Sequence, residues 1–175
     1  TLPLSQVDKK LARMITDQYK SCVMVVNKWD LVADQAEPEK FEGYLNDILP
    51  GLKYTPIAFT SARQGQGIDE LFELTSEIYR QSTLQIPTAK LNKAFELIRA
   101  ERTGSSKKAG GRLPSIYYAT QVSISPITIL MFVNDPGLFE TNYRRFIINR
   151  LKSYLPIAEV PVRLLARRRR EEPER

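Results

Sequence analysis

Three residues at the end of an apolar run could do the most specific chemistry in this 175-residue chain: Asn27, Lys28 and Asp30, set as Asn-Lys-Trp-Asp directly after Val23-Met24-Val25-Val26. A carboxylate can accept two parallel hydrogen bonds, and guanine presents a ring N–H and an exocyclic amine side by side. Asp30 is therefore suited to hold guanine and to reject adenine, which lacks that donor pair. Asn27 offers an amide donor to the guanine acceptors. The aliphatic stem of Lys28 can lie along a base face with its ammonium toward solvent or the ribose. Taken alone, the pattern also fits a polar turn after a strand, where Asn and Asp are ordinary residues. A second segment shifts the balance: Thr60-Ser61-Ala62 closes another apolar run, and Gly65 and Gly67 follow it before a helical pattern near Asp69. A backbone N–H of the Ser61-Ala62 loop can bond the guanine carbonyl oxygen, and the small Ala62 lets the backbone come close.

Such loops need strands and helices to hold them. Leu4, Val7, Leu11, Met14 and Ile15 recur at helical spacing, with Ser5 as a cap, so a helix is expected over Leu4 to Tyr19. Cys22 to Val26 is a continuous apolar run, the pattern of a strand buried on both faces. A second helix is expected to carry Phe41, Tyr44, Leu45, Ile48 and Leu49 on one side and to stop at Pro50-Gly51. A strand over Tyr54 to Phe59 and a helix over Asp69 to Tyr79 complete an alternation that argues for βαβ units and a parallel sheet. Ligands of such sheets bind outside the carboxyl ends of the strands, which is where both polar loops fall.

The boundary is expected between Ser82 and Thr88, where Pro87 interrupts helical pattern. Beyond it the order changes. A helix over Ala89 to Arg102, a loop over Thr103 to Arg112, strands over Ser115 to Ser123 and Thr128 to Asn134, a helix over Glu140 to Tyr154 and a strand over Val160 to Arg167 give α-β-β-α-β. The short link at Ser125-Pro126 makes the first two strands antiparallel. The fold class is thus α/β followed by a small α+β domain.

Charge follows the same division. Residues 1–89 hold nine Lys or Arg against twelve Asp or Glu, and residues 90–175 hold seventeen against eight. A basic second half suits an anionic polymer as partner. The chain has no histidine, which excludes imidazole-based triads, the usual zinc sites and histidine pH switches. No catalytic or metal-ligating set emerges from the remaining residues. The single cysteine, Cys22, cannot pair within the chain and reads as a small core residue. The longest apolar stretch, Ile124 to Val133, is half of the roughly 20 residues a spanning helix needs, and the N-terminus has no secretory-signal pattern. A start at Thr1 instead of Met suggests a piece of a longer protein. Tyr117-Tyr118 could offer a stacking face, although alternation in a strand turns one of two neighbours inward. Trp29 is expected to pack beneath the base loop.

Together, Asn27-Lys28-Trp29-Asp30, the Ser61-Ala62 loop, the Gly65-Gln66-Gly67-Ile68 helix start and the basic α-β-β-α-β module resemble the C-terminal part of the Der (EngA) double GTPases. The resemblance implies a Rossmann-like GTPase portion with a parallel sheet over residues 1–86, a KH-like domain over residues 87–170 and a charged tail at 171–175. It implies GTP or GDP with Mg2+ as cofactors of the parent protein and a cytoplasmic role in large-subunit ribosome assembly. The partners implied are rRNA, the large subunit and the missing N-terminal part of the same protein. Position by position, Asn27, Lys28 and Asp30 match the guanine-specificity motif, and Ser61 and Ala62 the second base-contacting loop.

Two departures matter. There is no Gly-x-x-x-x-Gly-Lys-Ser/Thr and no Asp-x-x-Gly, so this chain is not expected to hydrolyse GTP or to bind it tightly by itself, and the edge along Cys22 to Val26 should be exposed. The second half also lacks the Gly-x-x-Gly of nucleic-acid-binding KH domains. RNA contact would then rest on charge, from Arg144, Arg145, Arg150, Lys152, Arg167, Arg168, Arg169 and Arg170, unless these simply form a solvated surface. The competing readings are a non-enzymatic RNA-binding or ribosome-docking module and, more remotely, a metabolic nucleotide-binding protein.

Overall fold

A computed structural model of the chain describes residues 4–33, 37–103 and 113–169. Two compact units emerge, Thr1–Ser82 with Glu159–Pro161, and Thr83–Ala158 with Val162–Arg175. No helix among the described residues is long and apolar enough to cross a membrane. Arg170, the 171–175 tail and most of the expected Thr103 to Arg112 loop lie outside the described residues.

The first unit begins with α1 (Gln6–Asp17). Ser5 caps it: the Asp8 N–H donates to Ser5 Oγ at 3.2 Å, and the Ser5 N–H donates to the Asp8 carboxylate at 2.8 Å, so two otherwise orphaned donors are satisfied. One side of α1 buries Ala12 against Leu49 and Leu52, with Leu4, Ile15, Cys22 and Met24 packed around them. Val7, Leu11 and Met14, from the same apolar pattern, face solvent.

β1 (Met24–Val26) and β2 (Ile57–Phe59) pair in parallel, Val25 opposite Ala58, and α2 (Pro38–Ile48) lies between them in sequence. Both strands are three residues long, shorter than expected. Nor is β1 buried on both faces: Val25 is 47% exposed, because among the described residues β1 has β2 as its one strand neighbour. α3 (Ile68–Ser82) buries Ile78 and turns Phe72 and Tyr79 outward. The Cys22 thiol lies 3.9 Å from Thr55 Oγ1, and partial burial pushes its pKa up, which makes it a packing residue with little thiolate character.

In the second unit, α4 (Thr88–Thr103), β3 (Ile116–Ser123), β4 (Ile127–Val133), α5 (Thr141–Tyr154) and β5 (Val162–Arg168) follow the expected order. The sheet runs β3-β4-β5, antiparallel at the first pairing and parallel at the second. Ile127, Ile129, Met131 and Val133 alternate onto the inner face of β4, and Leu91 and Ile98 of α4 and Ile147 and Leu151 of α5 are fully buried as well. Each such side chain contributes about 1.5–3 kcal/mol by leaving water. Polar clamps fix the geometry. The Asn92 side chain both accepts from the Ala119 N–H (2.8 Å) and donates to the Ala119 carbonyl (2.9 Å), joining α4 to the β3 edge. Gln121 accepts from the Ile86 N–H (2.7 Å) and donates to the Leu84 carbonyl (3.0 Å), which ties down the segment leading into α4.

One expectation fails in β3. The register shifts between Ile116 and Tyr118, and this bulge leaves Tyr117 and Tyr118 both outside the core, 48% and 43% exposed. A bulge places an extra residue on one strand and breaks simple alternation.

Candidate guanine-base site

The two polar loops leave the carboxyl ends of β1 and β2 and are joined by backbone and side-chain bonds. The Thr60 N–H donates to the Val26 carbonyl at 2.9 Å and the Trp29 N–H donates to the Thr60 carbonyl at 2.9 Å, so the ladder continues past both strands. Asn27 Oδ1 is the junction. It accepts from the Lys28 N–H at 2.8 Å and from the Ala62 N–H, 35 residues away in sequence, at 3.1 Å, with Thr60 Oγ1 at 3.5 Å. Lys28 sits in the left-handed region at φ 62°, which turns the chain sharply into the short helical turn Trp29–Leu31 that carries Asp30. Trp29 is buried beneath it, its ring 4.5 Å from that of Phe59 and 5.9 Å from that of Phe41. Those rings form an apolar floor that fixes the turn.

The second loop is equally constrained. The Ser61 N–H donates to the Gln66 carbonyl at 2.9 Å and the Gln66 N–H returns a bond at 3.2 Å, which closes a tight turn through Gly65. Gly67 has φ +71°, and a Cβ there would sit 2.3 Å from the Phe59 carbonyl oxygen, so a side chain is excluded. Ser61 is wholly buried, and its Oγ has no hydrogen-bond partner among the described residues. A buried hydroxyl without a partner costs about 1–3 kcal/mol, and such an atom marks a place where a polar group of a ligand or a neighbouring side chain would be welcome.

The structure thus brings Asn27, Lys28, Asp30, Ser61 and Ala62 to one end of one sheet. Lys28 is exposed and Asp30 half-exposed, with no hydrogen bond to Asp30 among the described residues. The groups gathered here are a carboxylate acceptor in Asp30, the Asn27 amide and the loop N–H of Ala62. The Ala62 N–H is already bonded to Asn27, so a base carbonyl reaching it would replace that bond. Sequence reasoning passed over Thr60 and Gly67 as site residues. Their signal was adjacency: Thr60 directly follows β2 and Gly67 stands where no Cβ fits. The sequence contains neither Gly-x-x-x-x-Gly-Lys-Ser/Thr nor Asp-x-x-Gly.

The basic residues separate on inspection. Arg144 is half-buried, and its guanidinium donates to the carbonyls of Phe139 (2.6 Å) and Leu164 (3.1 Å). Arg150 pairs with Glu101 at 2.7 Å, and Lys152 donates to the Ala158 carbonyl at 2.9 Å. Arg145 and Arg167 are exposed, Arg168 lies 3.6 Å from Asp135, and the Arg169 guanidinium stands 5.4 Å over the Tyr117 ring.

Comparison with known proteins agrees with this architecture. Residues 85–167 match the family described as the KH-domain-like of EngA bacterial GTPase enzymes, C-terminal. The chain is 34% identical over 168 residues to the GTPase Der of Lactobacillus johnsonii, covering 95% of this chain and 38% of that protein. It is 36% identical over 171 residues to the GTPase Der of a Sulfurihydrogenibium species, covering 98% and 38%, and 35% identical over 164 residues to that of Aquifex aeolicus, covering 94% and 37%. It therefore spans 37–38% of the length of these curated relatives. With a KH-like module at residues 85–167 and similarity to Der proteins along almost all its length, the chain belongs to the Der (EngA) GTPase family.

Proposed function

We propose that this chain is the base-reading and RNA-contacting end of a GTP-binding protein that acts in the cytoplasm on assembly of the large ribosomal subunit. In this reading residues 1–86 are the C-terminal portion of a Rossmann-like GTPase domain and residues 87–170 the KH-like domain. The observation that carries it is the Asn27 junction: one side-chain oxygen accepts from both the Lys28 N–H of the Asn-Lys-x-Asp turn and the Ala62 N–H of the Ser-Ala loop, and in that second loop the buried Ser61 hydroxyl has no hydrogen-bond partner among the described residues. Asp30 selects guanine, Asn27 and the Ala62 N–H meet its acceptors, and Lys28 flanks the base. When bound, GTP with Mg2+ supplies the scissile phosphate, and the residues for that chemistry belong to the preceding part of the parent protein. Arg145, Arg167, Arg168 and Arg169 supply charge toward rRNA phosphates, while Arg144 holds backbone carbonyls.

The test is Asp30→Asn in the intact parent protein, read by competition between GTP and XTP. An amide in place of the carboxylate loses the paired acceptor, so preference should move from guanine to xanthine nucleotide by tenfold or more, in line with rejection by a site whose polar groups are left unpaired. An unchanged GTP preference would overturn the base assignment and leave the non-enzymatic RNA-docking module as the better reading.

A further inference from the structure

We propose that the outer face of the β3-β4-β5 sheet is a stacking platform for unpaired RNA bases, a proposal that rests on the RNA-contacting role of the second unit. The inner face of this sheet is the core. On the outer face the register aligns Tyr118, Phe132 and Arg167 in one cross-strand row, and Leu130 with Leu165 in the next. The Tyr118 and Phe132 rings stack at 4.3 Å with planes 14° apart, yet Tyr118 stays 43% exposed. The bulge adds Tyr117 beside it, with the Arg169 guanidinium over its ring. No core packing explains two neighbouring tyrosines held out of the core.

The charge on these strands selects the occupant. β3, β4 and β5 contain no Asp or Glu, and β5 carries Arg163 and Arg167 at outer-face register positions, while Arg168 lies opposite the buried Val133 and pairs with Asp135. Aromatic rings flanked by arginines are how single strands are held without a glycine loop: rings stack on bases and guanidiniums meet the backbone. An acidic or apolar protein surface would use the arginines or the leucines, but would gain nothing specific from a pre-stacked ring pair. Bases of a duplex are already stacked on one another and have no ring face to offer, so the platform reads single strands.

The experiment measures binding of the 175-residue chain to a labelled ten-nucleotide oligouridine and to a duplex RNA of equal length, by fluorescence anisotropy across a salt series. Stacking is worth about 1–3 kcal/mol per base, which is roughly 5- to 150-fold in affinity. Tyr117→Ala/Tyr118→Ala should weaken oligouridine binding about tenfold or more at unchanged salt slope. Tyr117→Phe/Tyr118→Phe, which keeps the rings, should stay within about twofold and guards against a folding artefact. Arg167→Gln should flatten the salt slope. If the alanine variant binds oligouridine like the parent chain, or if duplex binds as well as single strand, the platform is overturned while charge-based RNA contact survives. If neither RNA binds at low salt, the RNA-contacting role falls and the platform with it. Self-association that Tyr118→Ala dissolves, with no RNA binding, would assign the face to a second copy.

Discussion

The two units bury their side chains to different depths, and the difference follows from how many neighbours each sheet has. In the second unit β4 lies between two strands, and Ile129, Met131, Val133, Ile147 and Leu151 are completely buried. Among the described residues of 1–82 the wholly buried side chains are the polar Thr60 and Ser61, whereas the buried apolar residues, from Leu52 at 4% to Leu49 at 9%, keep a margin of exposure. Two three-residue strands cannot enclose a core. The unit with the best-defined polar loops is thus the one with the thinnest apolar support, and the unit with the dense core carries the basic surface.

The comparison breaks first in the cores. Met131→Ala and Leu151→Ala should each cost about 2–5 kcal/mol, because a fully packed site leaves a cavity that cannot collapse. Leu52→Ala, in the margin-exposed cluster with Ala12 and Leu49, should fall at or below the low end of that range. Amide exchange is the suitable readout, since it reports each unit separately: β4 amides should open only with the whole unit, and β1 amides by cheaper local opening. Equal protection of β1 and β4 would abolish the distinction.

A finer difference lies within the Ser61-Ala62 loop. Gly67→Ala places a Cβ against the Phe59 carbonyl at a backbone angle that disfavours side chains, and should cost about 2–3 kcal/mol. Gly65→Ala has the same sign of φ, +73°, but nothing within 4 Å, so only the left-handed penalty of about 1–2 kcal/mol applies. Both losses should register in the exchange of the Ser61 and Ala62 amides and leave β4 unchanged. Equal effects of the two substitutions would mean that the close approach at Gly67 relaxes at no cost.

How much of this was legible beforehand also divides between the units. Helical and alternating periodicity located α4, α5, β3 and β4 within a residue or two, because in the second unit an apolar pattern means an inward face. In the first unit the same kind of pattern misled. Val7, Leu11 and Met14 have helical spacing but face solvent, and the Cys22 to Val26 run is a short strand with an exposed Val25, since burial depends on neighbours that spacing does not name. The residues of the candidate base site were legible as types, but the bond from Ala62 to Asn27 spans 35 residues and could only emerge from the fold. The bulge at Tyr117 and the inward grip of Arg144 were hidden for the same reason: strand register and carbonyl geometry leave no mark in composition.

The smallest effect concerns the start of α1. The Asp8 carboxylate takes hydrogen bonds from the Ser5 hydroxyl (2.7 Å) and the Ser5 N–H (2.8 Å), and these bonds hold its pKa below the ordinary 3.8. A carboxylate whose pKa folding depresses contributes stability that is complete above its unfolded value and is lost as pH falls through its folded value. The capping box should therefore be intact from neutral pH down to about pH 4 and should fail below it. α1 has no basic residue in its last turn to offset that loss. Amide exchange or NMR shifts of the first turn of α1, followed from pH 6 to pH 2, should show fraying in that lower window while α5, which has no side-chain N-cap bond, shows no such step. In Asp8→Asn the first turn should fray at every pH and lose the titration step. A first turn that titrates identically in both proteins would mean that the Ser5–Asp8 box is not what starts the helix.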